Sequence, residues 1–259
     1  MKIILLNQLK KYSMENIKML NILLPVLNEE KRLKSGVLNT IEFFNSISFE
    51  EYILTIVDNG SIDQTQNIAQ KLADSYEHVK YLRLEEKGVG IAIKKGVENN
   101  TADIVGYMDI DLSTDVSHLK DVINIFKTYP ETDIINGSRL NKNSNTTGRK
   151  WYRNITSHGL SFVLKVFLHL KATDAICGFK FFRKEVIEKL IEYANADEKG
   201  WFYVIELLLR AERMNYKIVE LPVQWKDDYN TTVHVWKLIK NYMHNIRLLR
   251  KRFREEKIL

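Results

Sequence analysis

The chain has 259 residues, enough for one large domain or one domain with an appendage. Its few prolines and glycines argue against long disordered linkers, and its single cysteine, Cys177, excludes an internal disulfide and a cysteine-based zinc site. No stretch is long and apolar enough to span a bilayer or to form the core of a signal peptide. We therefore expect a cytoplasmic protein that begins its first patterned strand at Leu20, with 1–19 as an N-terminal extension and with Met14 or Met19 as alternative starts.

The formal net charge of +6 is concentrated at the C-terminus. The segment 237–257 contains eight Lys or Arg against two Glu, an excess equal to the net charge of the whole chain. A basic helix of this kind is typical of a surface that meets anionic lipid or nucleic acid, and also of an ordinary solvated helix face. Its aromatic residues form no evident stacking platform, which disfavours nucleic acid. We interpret 231–259 as a basic C-terminal helical tail.

The first half of the chain alternates short apolar strands with helices. Strands are predicted at 19–25, 52–57, 79–84 and 103–108, and helices at 28–46, 64–76 and 91–99. The first helix would open on Glu29 and Glu30, whose charges suit the helix dipole. This β-α repetition predicts a parallel sheet with helices on both faces. Three of the four strands run into polar or acidic residues, and parallel strands bring these ends to one edge.

The second half continues the pattern less regularly. Helices are predicted at 119–129, 161–171, 184–194, 201–214 and from 232 onward, and strands at 133–139, within 174–183, and at 217–223. The composition of 141–148 is typical of a mobile loop beside a site or of a surface connection. The helix at 161–171 is unusually apolar, which suits either a core helix or a segment lying in a membrane interface.

A pair of carboxylates follows the fourth strand, where Asp109 and Asp111 are separated by one residue. At the carboxyl edge of a sheet, where ligands bind, both side chains can turn toward one cation. Hard divalent ions such as Mg²⁺ take oxygen ligands and are commonly shared with the phosphates of a substrate. On spacing alone, a solvated acidic turn explains the pair as well, so its interpretation depends on the other strand ends.

The clusters at these strand ends resemble those of the inverting family 2 glycosyltransferases. They are Pro25-Val26-Leu27-Asn28-Glu29, Asp58-Asn59-Gly60-Ser61 with Asp63, and Asp109-Ile110-Asp111-Leu112-Ser113. Later motifs resemble the polyprenyl-phosphate branch, which includes the dolichyl-phosphate mannose and glucose synthases: Gly137-Ser138-Arg139, Arg153 with Ser157, Asp174 with Cys177-Gly178-Phe179-Lys180, and Trp201 with Glu206. The resemblance implies an α/β fold of the GT-A type, a Rossmann-like nucleotide-sugar domain with a mostly parallel sheet, over 20–230.

The resemblance also implies a donor site for a nucleotide sugar, either UDP-glucose or GDP-mannose. Its residues would be Pro25, Asn28, Glu29, Asp58, Asn59, Gly60, Lys87, Asp109 and Ile110. Asp109, Asp111 and Ser113 would hold Mg²⁺ or Mn²⁺, which offsets charge on the leaving nucleoside diphosphate. The chain departs from the family at Asn59, where aspartate is usual, and at Val204, where many glucose-synthase-like relatives carry aspartate.

On the acceptor side, the resemblance implies that Arg139 and Arg153 hold a polyprenyl phosphate, with Ser157 and Arg149 assisting. The planar fork of arginine suits this role because it donates two parallel hydrogen bonds to phosphate oxygens. A phosphate monoester oxygen is already anionic near neutral pH, so the reaction needs no general base. Asp111, Arg139 and Arg153 are therefore expected to act through positioning and electrostatics.

A polyprenyl phosphate stays in the bilayer, so we expect a peripheral protein on the inner face of the cell membrane. The apolar helix at 161–171 and the basic C-terminal helix are the candidates for docking, and a homo-oligomer or a membrane-protein partner is compatible with the sequence. Two alternatives remain open: a family 2 transferase acting on a sugar hydroxyl in cell-surface polysaccharide synthesis, with Asp174 as its base, and a nucleotide-sugar-binding protein without catalysis. Retention of both acids, Asp109 and Asp111, disfavours the second.

Overall fold

A computed structural model describes residues 19–149, 151–227 and 235–256, and the side chains of 151–153 and 235–240 are left outside this description. The predicted N-terminal extension, apart from Met19, therefore lies outside the described residues. So does the first part of the predicted C-terminal tail.

A seven-stranded sheet lies at the centre of the molecule, in the order β3-β2-β1-β4-β7-β5-β8. A separate pair, β6-β9, lies beside it. The strands are β1 (Leu20–Val26), β2 (Tyr52–Asp58), β3 (Val79–Arg83), β4 (Ile104–Met108), β5 (Ile134–Ser138), β6 (Asn145–Thr147), β7 (Phe179–Arg183), β8 (Ile218–Pro222) and β9 (Gln224–Lys226). Only β7 runs antiparallel to its neighbours in the central sheet. The predicted mostly parallel sheet is confirmed.

Helices cover both faces of this sheet. They are α1 (Leu33–Ser46), α2 (Thr65–Ser75), α3 (Val89–Glu98), α4 (His118–Thr128), α5 (Trp151–Leu168), α6 (Lys184–Tyr193), α7 (Phe202–Arg213) and α8 (Val235–Glu255). One apolar core joins α1, α2 and α4 to the sheet, and a second core joins α3, α6 and α7 to it. The central strands β1 and β4 are buried along nearly their whole length, which explains their continuous apolar sequences.

The start of the first helix was predicted wrongly at Asn28, since α1 begins at Leu33 and has no acidic residue in its first turn. Asn28 has a φ of 57°, in the left-handed region, which a right-handed helix does not admit. The two glutamate side chains make other contacts instead. Glu29 pairs with Arg32, and the Glu30 carboxylate accepts a hydrogen bond from the backbone N–H of Gln64.

Two other elements differ from the prediction in the second half. The loop predicted at 141–148 contains β6, which pairs in parallel with β9, a strand that the sequence pattern did not indicate. The helix predicted at 161–171 is the second half of the longer α5, because the polar residues that precede it are also helical. Among the described residues, the structure contains no helix with the length and apolar character needed to cross a membrane.

The C-terminal helix packs against the domain through its apolar face. Tyr242, Ile246, Leu249 and Phe253 are buried in a third core with residues of α5 and α7. Most of the remaining side chains, including Arg247, Arg250 and Arg254, are exposed, whereas Arg252 is half-buried and contacts Glu206. In the described part of this helix, most basic side chains therefore face outward while the helix itself is fixed to the domain.

Candidate functional site

A cavity of about 910 Å³ opens at the carboxyl ends of β1, β2 and β4. Strands β1 and β2 pair in parallel, as do β1 and β4, so their following loops meet at this edge. Ten of the residues predicted from the sequence lie on its wall: Pro25, Glu29, Asn59, Asp109, Ile110, Asp111, Ser113, Arg139, Arg149 and Ser157. Carboxylates and guanidinium groups that are distant in sequence thus share one cavity.

The acidic pair after β4 is held in place by its surroundings. The Asp111 carboxylate accepts a hydrogen bond of 2.9 Å from the backbone N–H of Ser113, and the Asp109 backbone N–H donates to the Gly178 carbonyl at 3.2 Å. A Cβ atom at position 178 would overlap the Asp109 carboxylate, so a glycine is required there. Burial, followed by the nearby Asp111 carboxylate, raises the pKa of Asp109 to about 7.

Asp109 and Asp111 fit a divalent cation by their chemistry. Carboxylate oxygens are the ligands that Mg²⁺ and Mn²⁺ prefer, and a cation between two acids stabilises their ionised forms. No cluster of three or more His, Cys, Asp or Glu side chains suited to a metal occurs in the part of the chain that the structure describes. Further ligands would come from other oxygen atoms, of the chain, the substrate or water; Ser113 lies on the same wall, and its predicted contact with the metal stays a prediction.

Glu29 and Arg32 form an ion pair on the same wall. The Arg32 guanidinium donates to both Glu29 oxygens at 2.7 and 2.8 Å, and its Nη1 lies 3.8 Å from the Asp111 carboxylate. Sequence reasoning missed Arg32, because no motif marks it. Its only signal is the spacing of three residues from Glu29.

Asp58 is buried beneath the site and does not line the cavity. Its carboxylate accepts hydrogen bonds from the Ser61 backbone N–H at 2.8 Å, the Tyr81 hydroxyl at 3.0 Å and Arg83 Nη1 at 3.0 Å. These contacts hold the loop after β2 in place. A direct contact between Asp58 and the donor stays a prediction.

The other donor residues predicted from the sequence lie in the loops that follow β1, β2 and β3. Asn28 joins the first two clusters, because its backbone N–H donates to Ser61 Oγ and its side-chain oxygen accepts from the Ile62 N–H, both at 2.9 Å. Gly60, with a φ of 73°, makes the turn after β2. The Lys87 side chain is exposed, and the next two residues in sequence, Gly88 and Val89, line the cavity. Asn28, Gly60 and Lys87 do not line the cavity, and their donor roles stay predictions.

Arg139 is held in the wall by Asp174. Its Nε and Nη2 donate to the two oxygens of this carboxylate at 2.7 and 3.0 Å, and its guanidinium lies 4.8 Å from the centre of the Trp225 ring. Burial opposes ionisation of Asp174, yet the Arg139 guanidinium holds the pKa of this carboxyl below its usual range. Asp174 therefore positions Arg139 and is poorly suited to be the base predicted for a hydroxyl acceptor.

Arg149 and Ser157 lie together on the cavity wall. Arg149 Nη2 donates to Ser157 Oγ at 2.5 Å, which links the loop before α5 to the first turns of that helix. Arg153 belongs to the same helix, but its side chain lies outside the described residues. Its predicted contact with the acceptor phosphate stays a prediction.

Several wall residues were not expected as site residues from the sequence. They are Trp225 and Asp227 at β9, and Tyr242, Met243 and Ile246 on α8. Trp225 donates through its indole N–H to the Asp227 carboxylate at 2.8 Å. Strand β9 and helix α8 reach the site only through tertiary packing, so no local motif identifies these residues.

Comparison with known proteins identifies the family. The family model described as "Glycosyl transferase family 2" matches residues 21–191, and the chain therefore belongs to this family. The resemblance deduced from the strand-end clusters is confirmed.

Among curated relatives, the glycosyltransferase AglD of Haloferax volcanii is 28% identical over 215 residues, a match that covers 82% of this chain and 34% of AglD. The dolichyl-phosphate beta-glucosyltransferase ALG5D of Trichomonas vaginalis is 24% identical over 237 residues, covering 88% of this chain and 72% of the relative. The dolichyl-phosphate beta-glucosyltransferase of Dictyostelium discoideum is 26% identical, covering 80% and 66%. The chain thus spans about a third of AglD and about two thirds of the other two relatives.

Solved structures share the fold at lower identity. Glucosyl-3-phosphoglycerate synthase of Mycobacterium tuberculosis has a TM-score of 0.67 at 18% identity, covering 90% of this chain and 80% of that one. Its complex with Mn²⁺ and UDP-glucose has a TM-score of 0.65 at 16% identity, covering 90% and 79%. These similarities confirm the GT-A type of fold.

Proposed function

We propose that this protein transfers a hexose from a nucleotide sugar to a polyprenyl phosphate at a membrane surface. The observation that carries the proposal is the meeting of two kinds of charge on one cavity wall: the acids Asp109 and Asp111, and the arginines Arg139 and Arg149. The acids suit a metal-bound diphosphate, and the arginines suit an anionic acceptor. The names of the curated relatives support a lipid-phosphate acceptor.

On the donor side, Asp109 and Asp111 would hold Mg²⁺ or Mn²⁺, which when bound offsets the charge on a leaving nucleoside diphosphate. Glu29 and Asn59, on the neighbouring strand ends, face the same space and would contact the nucleoside. The donor would be UDP-glucose or GDP-mannose. The relatives' names favour glucose as the transferred sugar. The complex of a structural neighbour with UDP-glucose is consistent with UDP-glucose as the donor.

On the acceptor side, Arg139 presents a guanidinium whose Nε and Nη2 are fixed by Asp174, while its Nη1 makes no hydrogen bond to a described residue. This nitrogen would donate to the acceptor phosphate, together with Arg149. A phosphate oxygen is already anionic near neutral pH, so orientation and electrostatics suffice for its attack on the anomeric carbon. Direct displacement would invert the configuration at that carbon.

Membrane association is proposed from the surface of α5. Ile155, Phe162 and Val166 lie on one face of this helix at helical spacing and are 61%, 68% and 51% exposed. The exposed arginines of α8 lie on the adjacent helix, and basic residues near a membrane surface are each worth about 1 kcal/mol with anionic lipid. We propose that this surface binds the inner face of the cell membrane peripherally.

A donor screen with undecaprenyl or dolichyl phosphate in Mg²⁺ or Mn²⁺, analysed by product mass, tests the proposal. We expect a lipid-phosphate hexose with the phosphate acceptor and none with the free polyprenol. Asp111→Ala is expected to lower kcat/KM by about 100-fold or more, as metal-dependent charge stabilisation is lost. Asp197→Ala, which removes an exposed carboxylate outside the cavity, is the control and is expected to retain activity. Product formation from the free polyprenol would contradict the proposal.

Asp227 supports a second candidate function, transfer to a sugar hydroxyl. Its carboxylate lies on the cavity wall, which the Asp174 carboxylate does not. A hydroxyl acceptor needs a base within hydrogen-bond reach, and Asp227 would supply it. If this function holds, Asp227→Asn abolishes transfer to an oligosaccharide. If the acceptor is a phosphate, the same variant retains transfer to it.

A further inference from the structure

The cavity has an apolar side that neither the acids nor the arginines use. Residues of α5, α8 and the loop before β7 form it: Leu160, Val163, Ile176, Tyr242, Met243 and Ile246. Leu160, Val163, Ile176 and Met243 are only partly buried, although they adjoin the third core. Their remaining apolar surface faces an open cavity, where contact with water is unfavourable and an apolar ligand would remove it.

The apolar side begins one helical turn beyond the phosphate residues. Ser157, which holds Arg149, precedes Leu160 by three residues on α5, a rise of about 4.5 Å. Ile155 lies both on the cavity wall and on the exposed face that continues to Phe162. A molecule with an anionic head at Arg149 could therefore extend an apolar chain along α5 without leaving apolar surface.

Helix α8 packs against α5 and is held in the cavity wall by a partly buried network. Arg210 Nη1 and Nη2 donate to Glu256 at 2.7 and 3.0 Å, and Arg210 Nε donates to Glu206 at 2.8 Å. Near the other end of the described side chains, Asn245 donates to Glu198 at 2.5 Å. These contacts fix the position of α8, and with it the wall residues Tyr242, Met243 and Ile246.

We propose that the apolar part of the cavity lined by α5 and α8 is a subsite for the hydrocarbon tail of the acceptor. The inference rests on the proposed function, since it needs an acceptor with a phosphate head. The proposed ligand is an acceptor whose phosphate is attached directly to an apolar chain. A small polar phosphate would leave Leu160, Val163 and Met243 in contact with water.

Gly159 offers a direct way to fill this subsite. It lies on α5 within the cavity wall, and a Cβ atom added there meets no atom within 4 Å. Gly159→Leu therefore places a side chain in open space, and it also removes a residue with low helix propensity. On α8, Met243→Asn makes one wall position polar, and Leu248→Asn is its matched control on the same helix, because Leu248 is 42% exposed and outside the cavity.

The experiment measures binding of isopentenyl, geranyl, farnesyl and glycerol phosphates by calorimetry, in detergent-free buffer and below their aggregation concentrations. Wild type is expected to gain about tenfold or more in affinity with each added isoprene unit that the subsite covers. Gly159→Leu and Met243→Asn are expected to lose about tenfold of the affinity for farnesyl phosphate and none of that for glycerol phosphate. Leu248→Asn should behave as wild type. Circular dichroism melting confirms that each variant is folded.

Three outcomes would overturn the inference. Equal affinity of wild type for all four phosphates would leave the phosphate-acceptor function standing and remove the tail subsite. Equal chain-length dependence in Gly159→Leu, Met243→Asn and Leu248→Asn would place the tail elsewhere. Absence of binding by every phosphate, in the presence of nucleoside diphosphate and Mn²⁺, would contradict the proposed function itself.

Discussion

At the level of single residues, the Asp109 carboxyl group is partly buried and lies near a second carboxylate, that of Asp111. Its pKa of about 7 lies above the ordinary value of 3.8, so the folded protein binds this proton more tightly than the unfolded chain does. The stabilising contribution of Asp109 is therefore fully present below pH ~4 and is lost as the pH rises through 7. Without metal, this residue reduces stability at the pH at which the site would work.

Asp109→Asn is accordingly expected to stabilise the metal-free protein at pH 8 by about 1–3 kcal/mol, with the difference vanishing toward pH 4. Urea denaturation in a chelator at several pH values measures this. Asp74→Asn, at an exposed helix position, is the control and should show no such pH dependence. If the variant and wild type have the same free energy of unfolding at every pH, ionised Asp109 does not destabilise the folded protein.

The sequence predicted the residues of this wall better than their contacts. Asp109, Asp111 and Arg139 follow strands, and parallel pairing brings such positions to one edge, so their convergence could be expected. The engagement of Arg139 by Asp174 could not, because these residues are 35 apart and meet only when β7 inserts beside β5. Arg32 was missed for the same reason, since its proximity to Asp111 depends on the turn after β1.

At the level of elements, helix α8 is fixed to α7 by the pair of Arg210 with Glu256. Arg210 is almost fully buried, so neutralising Glu256 removes one of the carboxylates that offset its buried positive charge. Glu256→Gln is expected to lower the free energy of unfolding by about 1–3 kcal/mol, less than for a fully buried pair because the Glu256 side chain is 26% exposed. The neighbouring Glu255→Gln is a matched control, with a side chain that is 61% exposed and 3.8 Å from Lys251, and should change stability by less than about 0.5 kcal/mol.

Urea unfolding of both variants, followed by circular dichroism, makes this comparison. Equal stability of Glu256→Gln and Glu255→Gln would contradict the account. The helix was predictable from its pattern, but its role as a cavity wall was not. A basic face with an apolar stripe fits both a membrane-bound tail and a packed helix, and only the burial of Tyr242 and Ile246 distinguishes the two in this chain.

At the level of the whole molecule, the fold followed from the β-α alternation, whereas the short strands β6 and β9 did not. Each has three residues, too few to show a period of two, and their pairing depends on segments about 80 residues apart. The same limit applies to the docking surface. The apolar stripe of α5 was predicted over 161–171, but its extension to Ile155 at the cavity mouth required the helix to begin at Trp151.

The membrane surface proposed for α5 and α8 predicts two separable effects in vesicle flotation. Reversal of charge at Arg247, Arg250 and Arg254 removes attraction to anionic lipid of about 1 kcal/mol for each residue and adds repulsion, so partitioning into anionic vesicles should fall by about 100-fold or more. Arg252 is left unchanged, because its contact with Glu206 at 3.3 Å belongs to the packing of α8. Phe162→Glu removes apolar contact and should lower binding to neutral vesicles as well.

Charge reversal at Lys71, Lys80 and Lys120 is the matched control, since these exposed lysines lie on α2, β3 and α4 and leave the same net charge. If the two triple variants lose the same amount of vesicle binding, net charge and not this surface governs the interaction. If only the α8 variant loses it, and high salt weakens wild-type binding to anionic vesicles in the same way, the attraction is local to α8. The protein would then meet the bilayer with the cavity mouth beside Ile155 turned toward the lipid, the orientation in which a lipid-phosphate acceptor can enter.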